Sequence, residues 1–239
     1  MAHLRQIPAR ATAVLLGAAV MFGAVLLLTT FAGAQGGGAD VEHIGNTEDT
    51  PKPSCPKDPC QAIGSVTGFQ VNAKGEKNLM AAPENGELVA WSVRLSKPKA
   101  SQREFFGKFY KDEQFGTEPT ARIAVLKPPQ DGNEYLLKAQ GPVVELSDDL
   151  GTKPLYTLDD PIPIKEGDII ALTVPTWIPN FAVDLSNKNV WRASREKGAC
   201  EDSNDIKKGQ PHQKVGKERA YGCTYRQARI LYTANYVPA

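Results

Sequence analysis

The stretch PIPIKEGDIIALTVPTWIPNF, Pro161 to Phe181, decides how the rest of the chain is read. Gly167 and Asp168 supply turn chemistry, since glycine tolerates positive φ and an aspartate carboxylate bonds its own backbone. The run that follows, Ile169 to Val174, is apolar at odd and even positions alike. A strand carries that pattern when both of its faces are covered, so GDIIALTV predicts a central strand between two layers. Pro175 and Pro179 then favour extended backbone in the residues before them. Trp177 lies between these prolines and has two possible uses: an exposed platform for a ligand, or a bridge packed between sheets.

Runs of the same kind recur on both sides. GELVAWSVRLSKP places Val89, Trp91, Val93 and Leu95 on one face, with Ala90, Ser92 and Arg94 on the other. ARIAVLKPP and EYLLKAQGPVVEL are shorter runs closed by Pro or Gly, and YGCTYRQARILYTANYV, Tyr221 to Val237, is the longest. Such runs, parted by Gly, Pro, Asn and Asp clusters and without βαβ spacing, predict an all-β fold. The expected form is an antiparallel, jelly-roll-like β-sandwich of about eight to ten strands. One segment departs from the pattern. ASQREFFGKFYKDEQFG repeats Phe105, Phe106, Phe109 and Tyr110 at helical spacing, which predicts a short helix or a compact aromatic loop. Residues 196–219 are polar and rich in Gly and Lys, and read as a long loop around Cys200.

The N-terminus bears on compartment. Arg5 and Arg10 precede an almost wholly apolar run from Ala11 to Phe31, and AGA at Ala32 to Ala34 offers small residues for cleavage. That is the layout of a signal peptide over residues 1–34, with Gln35 as the mature start. The alternative is an uncleaved anchor, because roughly 20 apolar residues also span a bilayer. Either way the remainder is expected outside the cytoplasm: secreted or extracellular, and membrane-associated only through an uncleaved segment. Residues 35–54, QGGGADVEHIGNTEDTPKPS, hold few apolar side chains and read as a flexible linker. Residues 55–239 are then one β-sandwich domain, and a mature chain of roughly 205 residues is long enough for a sizeable core.

Four cysteines, Cys55, Cys60, Cys200 and Cys223, all follow the apolar segment. An even number in an exported chain predicts two disulfides, with three connectivities open. Pairing by proximity gives Cys55–Cys60 and Cys200–Cys223, the two prolines of CPKDPC stiffening the smaller loop. Zinc is disfavoured, because the spacing is too wide for a knuckle and no histidine lies beside either pair. The formal charge of +1, with lysines and carboxylates interspersed, provides no basic stripe and excludes nucleic acid as a partner.

Several phrases taken together resemble a group of exported, functionally uncharacterised β-sandwich proteins from actinobacteria. They are IGSVTGFQV, GELVAWSVRLSKP, ARIAVLKP, PIPIKEGDIIALTVPTWIPNFAV, VWRASR and YGCTYRQARILYTANYV, in that order from near Cys55 to Val237. The resemblance implies a jelly-roll-type sandwich and an extracellular location, and carries over no catalytic residue. PIPIKEGDIIALTV is also similar to the strand entry of jelly-roll modules, carbohydrate-binding ones among them.

The usual catalytic devices are poorly represented. Beyond the apolar segment the histidines are His43, in the expected linker, and His212, in the polar loop. GSVTG, Gly64 to Gly68, has Val66 where a nucleophile elbow needs serine. No phosphate-cradling loop or zinc-protease helix motif occurs. Asp148, Asp149, Asp159, Asp160, Glu166 and Asp168 cluster along the chain, and a glycosidase needs two carboxyls about 5 to 9 Å apart. Aspartates at strand ends, however, more often cap turns. DGNEY and EDSNDIKKG lack the ordered spacing of an EF-hand loop. No catalytic residue, cofactor or metal is therefore expected. The better candidates are ligand-binding ones: aromatic faces at Trp177, Trp191 and Tyr225, and donor forks at Arg192, Arg195 and Arg226, with Arg229 beside them. The expected function is a secreted, non-catalytic module binding a glycan or cell-envelope polymer. The alternatives are a polysaccharide-cleaving enzyme using carboxylates such as Asp160 and Asp168, or an oligomer-forming envelope protein.

Overall fold

The computed structural model describes residues 40–201 and 210–239. The expected signal segment, its cleavage site, the start of the expected linker and residues 202–209 of the polar loop lie outside the described residues. In chain order the elements are β1 (Glu42–Ile44), β2 (Ile63–Ala73), β3 (Glu76–Lys77), β4 (Gly86–Val93), α1 (Ala100–Phe109), β5 (Thr120–Lys127), β6 (Glu134–Gln140), β7 (Val144–Glu145) and β8 (Leu155–Ile164). There follow β9 (Ile169–Ile178), β10 (Phe181–Ala182), β11 (Val190–Ala193), β12 (Glu218–Ala220), β13 (Cys223–Arg226), β14 (Arg229–Ile230) and β15 (Tyr232–Pro238). The strands of four or more residues are β2, β4, β5, β6, β8, β9, β11, β13 and β15, in keeping with the strand number expected from the turn spacing.

The fold is an antiparallel β-sandwich. One sheet has the order β1-β15-β4-β8; the larger, curled one runs β12-β6-β5-β9-β2-β11-β13, with β3 beside β2 and β7 beside β5. β9 occupies the middle of the larger sheet, paired with β5 on one side and β2 on the other. Register places Val66 and Val174, with Leu172, Ile123, Ile170 and Val125, on one face, and these pack in one core with Leu88, Trp91, Val93 and Tyr236 of the smaller sheet. The opposite face carries Thr67 and Thr173, whose hydroxyls meet at 2.8 Å. It is covered by the chain after residue 209: the His212 N–H donates to Thr67 Oγ1 at 2.8 Å, and the Arg122 guanidinium donates to Gln213 Oε1 at 2.8 Å. Both faces of β9 are thus buried, which is why its sequence is apolar without alternation.

β9 also runs further than expected, through Pro175 and Trp177 to Ile178. Pro175 has no N–H for the ladder, and next to it side chains take over. The Thr120 N–H donates to Thr176 Oγ1 at 3.0 Å, the Thr176 N–H donates to Thr120 Oγ1 at 3.3 Å, and the Thr176 hydroxyl donates to the Glu118 carbonyl at 2.5 Å. The Gly167–Asp168 turn forms as expected: Gly167 has φ +81°, and the Asp168 carboxylate accepts the Lys165 N–H at 2.8 Å.

Two expectations are corrected. In β4 it is Leu88, fully buried, that shares the core with Trp91 and Val93, while Val89 is only half-buried. Against β15, Asn235 pairs with Ala90 and Tyr236 with Leu88, so Val89 is an extra residue in β4, and a bulge of this kind breaks simple alternation. The linker expected over residues 35–54 is ordered where described. β1 pairs with β15, Ile44 joins the core, and Arg229 donates to the Asp49 carbonyl and to Thr47 Oγ1. One apolar residue and several backbone acceptors are enough to dock a segment that composition alone marks as unstructured.

Candidate functional site

The helix expected around the Phe cluster forms as α1, and it fixes the environment of Trp177. The Lys99 N–H is capped by Gln102 Oε1 at 2.8 Å, and the Gln102 amide also donates to the Pro56 carbonyl at 3.2 Å, tying the helix start to the Cys55–Cys60 loop. Gly107 lies so close to Thr117 that an added Cβ would come within 2.9 Å of its carbonyl oxygen. That approach lets Phe106 cover Trp177, with ring centroids 5.3 Å apart. Cys55, Phe106 and Trp177 form a small core of their own, with Ala62 and Tyr110 packed against it. Trp177 is 2 % exposed and its Nε1–H donates to the Thr117 carbonyl at 2.8 Å. It is therefore a core residue, and the platform reading of Trp177 is corrected.

The remaining aromatic candidates do come together. β11 lies between β2 and β13, and its rungs put Trp191 opposite Tyr225 and Ala193 opposite Cys223. The Trp191 and Tyr225 rings stack at 4.5 Å with 22° between planes, and Phe181 meets Trp191 edge-on at 5.4 Å. The stack lines a cleft of about 360 Å³ that Gly64 and Tyr110 also line. Asp184 and Gln227 border it, both with positive φ (58° and 61°). Arg226 is exposed on the rim.

Arg195 lies in the wall and is 8 % exposed. Its Nη1 donates to the Tyr225 hydroxyl oxygen at 3.0 Å and its Nη2 to the Gly64 carbonyl at 3.3 Å. The guanidinium carbon is 5.9 Å from the Tyr225 ring centroid, within cation–π range. The Tyr225 hydroxyl in turn donates to the Cys200 carbonyl at 2.9 Å, so the Cys200–Cys223 bridge anchors the arrangement. Burial holds the Tyr110 hydroxyl above the usual tyrosine range, opposed by the nearby Arg195 charge. Among the described residues the ion pairs are Lys74–Asp49, Lys108–Glu104 and Lys138–Asp168, and none involves an arginine. Arg195 Nε and Trp191 Nε1 are buried without a hydrogen-bond partner among those residues.

Of the sequence candidates, Trp191, Arg195, Tyr225 and Arg226 share this cleft; Trp177 and Arg192 do not. The correction for Arg192 is one of strand parity. Arg192 alternates with Trp191 on β11, so its Nη1 reaches the Tyr135 hydroxyl, 3.2 Å away, on the other face of the sheet. Arg229 is buried against the chain around Asp49. The carboxylates serve as turn and ion-pair groups: Asp168 is buried beside Lys138, Asp149 accepts the Tyr156 hydroxyl at 2.5 Å, and Asp160 is exposed on the edge strand β8. His212 is buried, with its Nε2 on the Lys217 carbonyl at 2.9 Å. Tyr110, Gly64, Phe181, Asp184 and Gln227 join the cleft without being site candidates on sequence. Only Tyr110 carried a signal, as the last aromatic in the helical series.

Both disulfides form with the expected pairing, which indicates folding in an oxidising compartment. Among the described residues no helix is long and apolar enough to cross a membrane, and no three metal-ligating side chains gather. No protein-family model, curated protein or solved structure matches the chain.

Proposed function

We propose that the chain is a secreted, non-catalytic β-sandwich module that binds an extracellular or cell-surface glycan in the cleft beside Tyr225. The stacked Trp191–Tyr225 pair carries this reading. Trp191 is buried, while Tyr225 is half-buried and lines the cleft. A pyranose has a C–H face that packs on an aromatic ring, and its hydroxyls suit planar donors such as those of Arg195 and Arg226. A cleft of about 360 Å³ is at the small end of ligand sites and fits one or two sugar rings. The apolar N-terminal segment and the two disulfides supply the extracellular context. A glycan array followed by titration calorimetry tests the reading. A defined glycan class should bind, and Tyr225→Ala should weaken it at least about tenfold, the scale of one lost aromatic contact. Absence of binding across the array, or affinity unchanged by Tyr225→Ala, overturns it.

A further inference from the structure

We infer that the cleft takes sugars bearing a carboxylate, with Arg195 as the group that receives it; this rests on the glycan reading above. Three charged side chains line the cleft: Arg195 and Arg226, which are positive, and Asp184, which is negative. The balance is positive, and the buried member decides it. A guanidinium withdrawn from water needs a counter-charge or a full set of acceptors to offset its lost hydration. Arg195 has five N–H donors. Among the described residues its partners are two neutral oxygens, the Tyr225 hydroxyl and the Gly64 carbonyl, and its Nε has none. Its ion-pairing capacity is left unused within the described fold.

The local geometry holds that charge in place. Tyr225 is fixed by Cys200, Arg195 is fixed by Tyr225, and the backbone of Arg195 is bound on both sides, its N–H to Ala193 and its carbonyl to Gly222. The guanidinium therefore cannot swing out to a surface carboxylate without breaking these contacts. A neutral sugar hydroxyl would satisfy a donor and leave the charge uncompensated. A carboxylate on the ring would satisfy both, while the ring itself lies against Tyr225. Charge-assisted bonds of this kind are about twice as strong as neutral ones. Arg226 on the rim adds a second, solvent-screened attraction.

Calorimetry with tetragalacturonate, its methyl-esterified form and a neutral oligosaccharide of similar length tests the inference. Esterification keeps the rings and removes the charge. The free acid should bind about tenfold or more tighter than the ester, the cost of one lost charge-assisted contact. The preference should shrink in high salt and in Arg226→Gln, an exposed substitution that leaves the fold intact. Arg195→Gln, accepted only if its circular dichroism matches the parent, should abolish the preference while retaining weak ester binding. Equal binding of acid and ester overturns this inference and leaves the glycan reading standing. Failure of all three sugars, with a negative array, overturns both. Equal binding of a tetraglutamate peptide overturns the inference by showing that the cleft reads charge without a sugar ring.

Discussion

Trp191 and Tyr225 are partners on one rung of the β11–β13 pair, and their stacked rings make the wall of the cleft. The arrangement separates packing from polar fixation. Tyr225→Phe keeps the stack and removes the hydroxyl that accepts from Arg195 and donates to Cys200. It should lower stability by about 2 to 4 kcal/mol, the worth of one ordinary hydrogen bond and one to a charged group, and leave the affinity for a neutral glycan within about threefold. Trp177→Ala is the contrasting case. It should cost about 3 to 5 kcal/mol by emptying a core site, with no specific effect on glycan affinity in the folded fraction. Denaturant melts paired with calorimetry distinguish the two. A Trp177 variant of parental stability would return that residue to the surface.

Gly64 ties the cleft to the aromatic helix. A Cβ placed on it would fall 2.6 Å from the Tyr110 ring and 2.6 Å from the Thr176 carbonyl oxygen. Neither can yield freely, since one belongs to β9 and the other is wedged beside α1. Gly64→Ala should destabilise the fold by about 1 to 3 kcal/mol through overpacking and displace Tyr110 from the cleft wall. The check is a thermal melt together with the fluorescence of Trp177, which shares a core with Tyr110. An unchanged melt and spectrum would show that Tyr110 does not press on Gly64.

The sandwich was legible in the sequence because its strands carry local signals. The unbroken apolar run of β9 announced a strand covered on both faces, and Gly167–Asp168 announced its turn. The site was legible only in part, for two physical reasons. Parity along β11 separates Trp191 from Arg192, so the placement of Arg192 on the other face can be read from the sequence. The burial of Trp177 was not recoverable, because its cover comes from Phe106 and the Cys55–Cys60 loop, segments far away in sequence whose docking no local pattern records. The same holds for β1. Its partner β15 lies at the opposite end of the chain, so a composition that reads as linker acquires a strand only through a long-range ladder.

The Cys200–Cys223 bridge should support both stability and binding. It closes a loop with a sequence separation of 23, for which chain entropy gives about 3 kcal/mol. It also holds the Cys200 carbonyl that receives the Tyr225 hydroxyl. The double variant Cys200→Ser, Cys223→Ser should lose about that stability and, where still folded, bind the glycan more weakly. Cys55→Ser, Cys60→Ser should disturb Trp177 and α1 while leaving the Tyr225 stack intact. Equal losses of affinity in the two variants would show that the bridge does not act through Tyr225.

His212 gives the fold a pH dependence with a definite sign. The ring is 2 % exposed, and burial pushes it below its ordinary value of 6.5; the Lys217 carbonyl opposes that shift and the Arg219 charge adds to it. The contacts suit the neutral form: Nε2–H donates to the Lys217 carbonyl at 2.9 Å, and Nδ1 faces the Tyr221 hydroxyl at 3.3 Å as acceptor. Protonation would place a second N–H against that hydroxyl in a buried site. Because the folded value is lower, the unfolded chain binds more protons in the window below 6.5. The stabilisation is fully present above that pH and is lost as pH falls through the folded value, with a slope of at most about 1.4 kcal/mol per pH unit. Denaturation midpoints from pH 8 to pH 5, chosen as about the range in which histidine titrates, should fall on the acid side for the parent. His212→Gln, which retains a polar group at that position, should start less stable and remain flatter across the same window. Parallel curves for parent and variant would show that His212 is not the titrating group.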